Sequence, residues 1–176
     1  HQLADRTIAA LEYRGGGGIA GKASEVGLKA DALAAYDWLA AQHDGPIAVH
    51  GFSLGTGLAI HVAASREVEA ILLDAPYTTL CELMTKGSYL PACYLPGVQK
   101  WRSVDDVPAL SAPVLIQHGA ADQLIPISYG ERLAAIMTNA GMSVTFHSVA
   151  GATHNNLAGQ PGYQDRINSF LAEAQN

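Results

Sequence analysis

The stretch HGFSLGTGLA (residues 50–59) places Ser53 between two glycines, in the order Gly-Phe-Ser-Leu-Gly at residues 51–55. The apolar run PIAVHG precedes it, and LGTGLAIHVAAS, which has a helical pattern, follows it. A strand, a Gly-x-Ser-x-Gly turn and a helix in this order are typical of a nucleophile elbow. Such a turn holds its serine in a strained backbone conformation, and side chains at the glycine positions would collide with the neighbouring strand or helix. We therefore interpret Ser53 as a candidate nucleophile. The alternative is a turn serine that only caps the following helix.

A serine needs partners to act as a nucleophile, and the sequence offers them in the expected order. The serine requires a base, and the base requires an acid that orients it. In this architecture the order is Ser, then Asp or Glu, then His, with each residue following a strand. Asp122 comes after the apolar run PVLIQHG, and His154 comes after SVTFHSV. We predict a Ser53–Asp122–His154 triad, with the N–H of Leu54, at the start of the helix, stabilising an oxyanion.

Other acidic and imidazole side chains compete for these roles. Asp74 ends the strand that follows the elbow and is the alternative acid. His50 and His118 lie within strands, directly before glycines, and we expect them to be packed or hydrogen-bonded. The remaining histidines lie in a helix, in the middle of a strand or in no supporting context: His1, His43, His61 and His147.

Short apolar runs alternate with longer helical patterns along the chain. This alternation predicts an α/β fold with a mostly parallel sheet and helices on both faces. The predicted strands cover residues 7–13, 46–51, 68–76, 112–119 and 143–149. The predicted helices cover 24–42, 54–65, 128–141 and 162–175. In the first helix we expect Ser24 as the N-cap and an apolar face made of Val26, Ala30, Leu33, Tyr36 and Ala40.

Residues 77–110 interrupt the alternation. They contain three prolines, three tyrosines, Trp101 and both cysteines, without a clear period. We predict an irregular excursion that is either a lid over the site or a plain connection. As a lid, it would present apolar side chains to the substrate, namely Tyr77, Leu83, Tyr89, Tyr94, Leu95 and Trp101.

The composition limits the function classes. The chain has 176 residues, 49% of them hydrophobic and 15% charged, which suits one globular domain. A net charge of −6 argues against a nucleic-acid partner, and no apolar run is long enough to span a bilayer. Cys81 and Cys93 lack metal-ligand spacing, so we interpret them as free or buried thiols, with a disulfide as the alternative. We expect no metal and no cofactor.

The motifs LEYRGGGG, HGFSLGTG, LLDAPYTTL, APVLIQHGAADQLIP and GATHNNL together resemble the α/β-hydrolase superfamily. More narrowly, they look like the branch of small serine esterases and thioesterases that includes mammalian protein depalmitoylases and their bacterial relatives. The resemblance extends over essentially the whole chain. It implies the Ser53–Asp122–His154 triad and an acyl-enzyme mechanism, and it leaves the substrate open among esters, thioesters and peptides.

The resemblance also implies a departure at the amino end. In this superfamily the strand predicted at residues 7–13 is the fourth of eight, and the loop after the third strand donates a second oxyanion N–H. That loop would precede His1, so we expect residues 1–176 to be one N-terminally incomplete hydrolase domain. The predicted function is hydrolysis of a small-molecule ester or thioester. The alternatives are a peptidase of the same fold, a non-catalytic remnant or a pure binding module.

Overall fold

The computed structural model describes residues 6–88 and 91–175. His1 and Tyr89, named in the sequence predictions, lie outside the described residues.

The described sheet has four parallel strands in the order β1-β2-β3-β4. These strands are β1 (Val49–Phe52), β2 (Ile71–Asp74), β3 (Val114–Gly119) and β4 (Val144–Val149). Since the strands are parallel, the loops that follow them emerge at one edge of the sheet. The predicted α/β fold class is therefore confirmed, and all three candidate site residues follow strands at this edge.

Among the described residues, five α-helices accompany the sheet, and three 3₁₀ turns lie between β2 and β3. The helices are α1 (Glu25–Gln42), α2 (Leu54–Ser65), α3 (Leu80–Ser88), α4 (Ile127–Asn139) and α5 (Tyr163–Ala174). Within the described residues, no helix combines the length and apolar character needed to cross a membrane.

Apolar side chains cover both faces of the sheet. On one face, α2 and α4 pack against Ile71, Leu73 and Val114. On the other face, α5 packs against Leu72 and Leu115. The alternation of side chains along each strand produces these two cores, because neighbouring residues point to opposite faces.

Helix α1 begins as predicted, but its buried side only partly matches the predicted face. The Ser24 hydroxyl accepts a hydrogen bond of 3.1 Å from the N–H of Gly27, which confirms the predicted N-cap. Leu28 and Ala32 are the buried residues, whereas Val26 is exposed. Leu33 and Tyr36 of the predicted face pack partly buried against the same core as Leu28 and Ala32, but Val26, Ala30 and Ala40 are exposed. The prediction was wrong at these three positions because apolar residues occur on every side of this helix, so their spacing does not select one side.

The strand predicted at residues 7–13 is absent from the structure. Residues 7–12 are exposed and have no strand partner among the described residues. A β-strand is stable when its N–H and C=O groups pair with a neighbour, and β1 pairs only with β2 in the part of the chain described. The apolar composition of this run therefore misled the prediction.

The 77–110 segment is more ordered than predicted, since it contains α3 and three 3₁₀ turns. Nine residues of helix are too few for a clear sequence period. Tyr77 and Trp101 are buried in a core with Leu58, whereas Tyr94 and Leu95 are exposed. The two buried aromatic side chains are thus part of the core rather than a covering of the site.

The interpretation of the cysteines as thiols was wrong. Cys81 in α3 and Cys93 form a disulfide, with their Cα atoms 5.1 Å apart. The chain turns back after α3 and brings the two cysteines together, which their spacing of 12 residues does not reveal.

Candidate active site

Ser53 occupies the tight turn between β1 and α2. Its backbone angles are φ 53° and ψ −120°, outside the regions that residues other than glycine normally adopt. The N–H of Ser53 donates to the carbonyl oxygen of Asp74 at 2.9 Å, which fixes the turn to the end of β2. Leu54 begins α2, so its N–H has no carbonyl partner within the helix and remains at the serine side of the turn.

The glycines around Ser53 have different physical reasons. A Cβ atom at Gly51 would lie 2.3 Å from the carbonyl oxygen of Gly55, so the backbone would have to move. At Gly55, an added Cβ would meet only the hydroxyl of Tyr13, at 2.9 Å. At Gly57 it would meet the Tyr77 hydroxyl at 2.4 Å. The turn itself therefore requires glycine most strongly at Gly51.

The structure brings Ser53, His154 and Asp122 into one hydrogen-bonded chain. His154 Nε2 lies 2.9 Å from Ser53 Oγ, and His154 Nδ1 lies 2.7 Å from Asp122 Oδ2. A carboxylate only accepts hydrogen bonds, so Nδ1 carries the proton and Nε2 accepts from the serine hydroxyl. This tautomer is the one that a general base beside a serine requires.

Asp122 is held by its own loop. Its side chain has no exposed surface, and its Oδ1 atom accepts from the N–H groups of Leu124 and Ile125, both at 2.9 Å. Donors therefore contact both carboxylate oxygens, which stabilises a buried negative charge.

The loops that carry Asp122 and His154 are joined through their backbones. Ala121 N–H donates to the Ala152 carbonyl at 2.9 Å, and Ala120 N–H donates to the Val149 carbonyl at 3.0 Å. These bonds hold the Asp122 loop against the His154 loop and keep the two side chains within hydrogen-bonding distance.

His118 lies beneath Asp122 and is fully buried. Its Nε2 atom is 2.8 Å from the carbonyl oxygen of Ile125 and 3.6 Å from Asp122 Oδ2. Burial lowers the pKa of His118, so its imidazole stays neutral and donates through Nε2. The predicted hydrogen bonding of His118 is confirmed, but its place beneath the acid was not predicted. The spacing of four residues between His118 and Asp122 was the available signal.

Asp74 belongs to a separate cluster. Its Oδ2 atom accepts from His50 Nε2 at 2.8 Å and from the hydroxyl of Tyr163. His154 Nδ1 bonds to Asp122 and not to this carboxylate. The geometry therefore favours Asp122 over Asp74 as the partner of His154.

Two large apolar residues that neighbour the site residues in sequence are exposed. The Phe52 ring lies against the His154 ring, with centroids 4.9 Å apart, and Phe52 is 48% exposed. Leu124, two residues after Asp122, is 65% exposed. Clefts of about 340 and 600 Å³ lie elsewhere in the described structure, and neither is lined by Ser53, Asp122 or His154.

Comparisons with known proteins show which proteins the chain is similar to. The chain is 35% identical over 173 residues to an uncharacterized protein of Mycobacterium tuberculosis, covering 95% of this chain and 60% of the relative. It is 28% identical over 194 residues to the lysophosphatidylserine lipase ABHD12 of Xenopus tropicalis, covering 96% of this chain and 50% of the relative. The chain thus spans about half to three fifths of the length of these relatives.

Solved structures share the fold. A truncated form of a carbohydrate esterase from gut microbiota superposes with a TM-score of 0.70 at 19% identity, covering 85% of this chain and 68% of that one.

The narrower esterase and thioesterase branch stays a prediction. The profile of the dienelactone hydrolase family matches residues 18–168, and the chain belongs to this family within the α/β-hydrolase superfamily.

Proposed function

We propose that the protein is a serine hydrolase that cleaves carboxylic esters or thioesters through an acyl-enzyme intermediate. The observation that carries the proposal is the continuous hydrogen-bonded chain from Ser53 Oγ through His154 to Asp122. Nucleophile, base and acid are the three groups that acyl transfer requires, and they follow three strands at one edge of the sheet.

In the first half of the proposed reaction, Ser53 Oγ attacks the acyl carbonyl carbon and its proton moves to His154 Nε2. Asp122 stabilises the imidazolium that results. The N–H of Leu54 donates to the oxyanion of the tetrahedral intermediate. The carbon–oxygen or carbon–sulfur bond then breaks, and His154 gives the proton to the leaving alcohol or thiol.

In the second half, His154 accepts a proton from water, and the hydroxide formed attacks the acyl-enzyme carbonyl. The serine leaves with the proton that His154 returns, and the carboxylic acid is released. His154 carries each proton in this sequence, between Ser53, the leaving group and water.

The names of the relatives support an ester as substrate. The relative from Xenopus tropicalis is named a lipase, and the solved structure from gut microbiota is named an esterase. The exposed Phe52, which precedes Ser53 and lies against the His154 ring, adds apolar surface at the site, which favours an acyl group with some hydrocarbon character.

The test is hydrolysis of p-nitrophenyl butyrate by the purified protein and its Ser53→Ala variant. We expect a burst of p-nitrophenol equal to the enzyme concentration, followed by slower turnover, and neither phase in the variant. A peptide p-nitroanilide serves as the comparison substrate, and a faster anilide reaction would favour a peptidase. No hydrolysis of either substrate by the folded protein would contradict the proposal.

A further inference from the structure

Asp74 connects the two parts of the candidate site that lie on different loops. Its carbonyl oxygen accepts from the N–H of Ser53 at 2.9 Å, and its carboxylate accepts from the Tyr163 hydroxyl. Asp74 is 4% exposed and Tyr163 is 8% exposed. One residue at the end of β2 thus bonds both to the serine turn and to the first residue of α5.

Tyr163 is where the loop that carries His154 ends. The first part of that loop bonds to Ala120 and Ala121, which precede Asp122. Those bonds fix His154 relative to Asp122 but make no link to Ser53. The bond between Tyr163 and Asp74 ties the far end of the loop to β2, the strand that also holds the N–H of Ser53.

A second contact ties α5 to the sheet without involving Asp74. Arg166 Nε, one turn after Tyr163, donates to Gln117 Oε1 at 2.5 Å. Gln117 lies beside Asp74 in the register of β2 and β3. We expect this contact, together with the apolar packing of α5, to keep the helix on the sheet when the Tyr163 hydroxyl is removed. The effect of that hydroxyl on the site is then separable from the docking of the helix.

We propose that Asp74 is a positioning residue that sets the distance between Ser53 Oγ and His154 Nε2 through its bonds to Ser53 and Tyr163. This inference rests on the proposed serine hydrolase function.

The chemistry of the cluster suits a fixed structural link. A hydrogen bond from a phenol to a buried carboxylate is charge-assisted and stronger than one between neutral groups. Burial raises the pKa of Tyr163, with the nearby Asp74 charge adding to the effect, so the phenol keeps the proton that it donates. His50 Nε2 is a second donor to the same oxygen and lies on the more exposed side of the carboxylate.

The test is steady-state kinetics of Tyr163→Phe with p-nitrophenyl butyrate, well below the melting temperature. We expect kcat to fall about 10-fold with an unchanged KM, because displacement of the base weakens the reaction step and not substrate binding. Tyr36→Phe is the matched control. It removes a hydroxyl that donates to the Glu67 carbonyl, at the opposite end of α2 from Ser53, and should leave both constants unchanged.

A Tyr163→Phe variant that is folded and has the wild-type kcat would overturn the inference, since the bond would then serve stability alone. If Tyr163→Phe does not fold, Asp74→Ala decides in the same way, because it removes the acceptor of the Tyr163 hydroxyl and keeps the backbone carbonyl that accepts from Ser53. Ser53→Ala, measured in parallel, separates the two proposals. An active Ser53→Ala overturns the serine hydrolase function, whereas an inactive one beside a fully active Tyr163→Phe overturns only the role of Asp74.

Discussion

His154 Nδ1 lies 2.7 Å from Asp122 Oδ2, and both side chains are at least nine-tenths buried. With the carboxylate in place, the imidazole keeps its proton on Nδ1 and presents a lone pair to Ser53. We expect Asp122→Asn to lower kcat by about 10⁴-fold, because an amide favours the wrong tautomer. Asp74→Asn should lower kcat by no more than about 10-fold, since His154 bonds to Asp122 and the amide oxygen can still accept from Tyr163. Ester turnover by the two variants measures the difference, and a larger loss for Asp74→Asn would reverse the assignment of the acid.

Gly51 tests the geometry of the serine turn. A methyl group there would overlap the backbone of Gly55 and Thr56, so we expect Gly51→Ala to lower the free energy of unfolding by about 1–3 kcal/mol. Gly159→Ala is the control, because an added Cβ at Gly159 has no neighbour within 4 Å. Urea unfolding compares the two variants. Equal stability in both would show that the turn relaxes around the added methyl group.

The stability should depend on pH through buried histidines. Burial lowers the pKa of His118 and of His147, with Arg166 contributing at His147, so the unfolded chain binds protons more readily than the folded one. The free energy of unfolding should therefore have its full value above about pH 6.5 and decrease as the pH falls below 6.5. His118→Asn removes one titrating group while keeping an N–H donor. Its stability should vary less between pH 7.5 and 5.5, and an unchanged slope would contradict the role of His118.

The disulfide should stabilise the segment that contains α3. Closing the loop between Cys81 and Cys93 restricts the unfolded chain, which in the chain-entropy view contributes about 3 kcal/mol. The double variant Cys81→Ala and Cys93→Ala should be less stable than the wild type in urea unfolding by that amount. A dithiol reductant should destabilise the wild type and leave the double variant unchanged. A wild type that is insensitive to the reductant would contradict the disulfide.

Local patterns predicted the elements next to the serine best. The bounds of α2 match the prediction because the glycines and the N-terminal turn determine where that helix begins. In parallel sheets the ends of the strands meet at one edge, so the closeness of Ser53, Asp122 and His154 follows from the order of the elements. Their catalytic roles stay predictions.

The sequence patterns did not predict contacts between elements that are distant in the chain. The strand predicted at residues 7–13 depended on a partner strand, which composition does not report. The bond between Asp74 and Tyr163 joins residues 89 positions apart, and the placement of His118 under Asp122 depends on the turn after β3. Such contacts arise from packing, which one sequence does not specify position by position.

The central claim is that Ser53 is a nucleophile activated by His154, and labelling with a fluorophosphonate tests it most directly. The purified protein is incubated with the probe, digested and analysed by mass spectrometry. We predict one phosphonate on the peptide that contains Ser53, no labelling of Ser53→Ala, and normal labelling of the control Ser65→Ala, which changes the far end of α2. Labelling that persists in Ser53→Ala, or no labelling of the folded wild-type protein, would contradict the account.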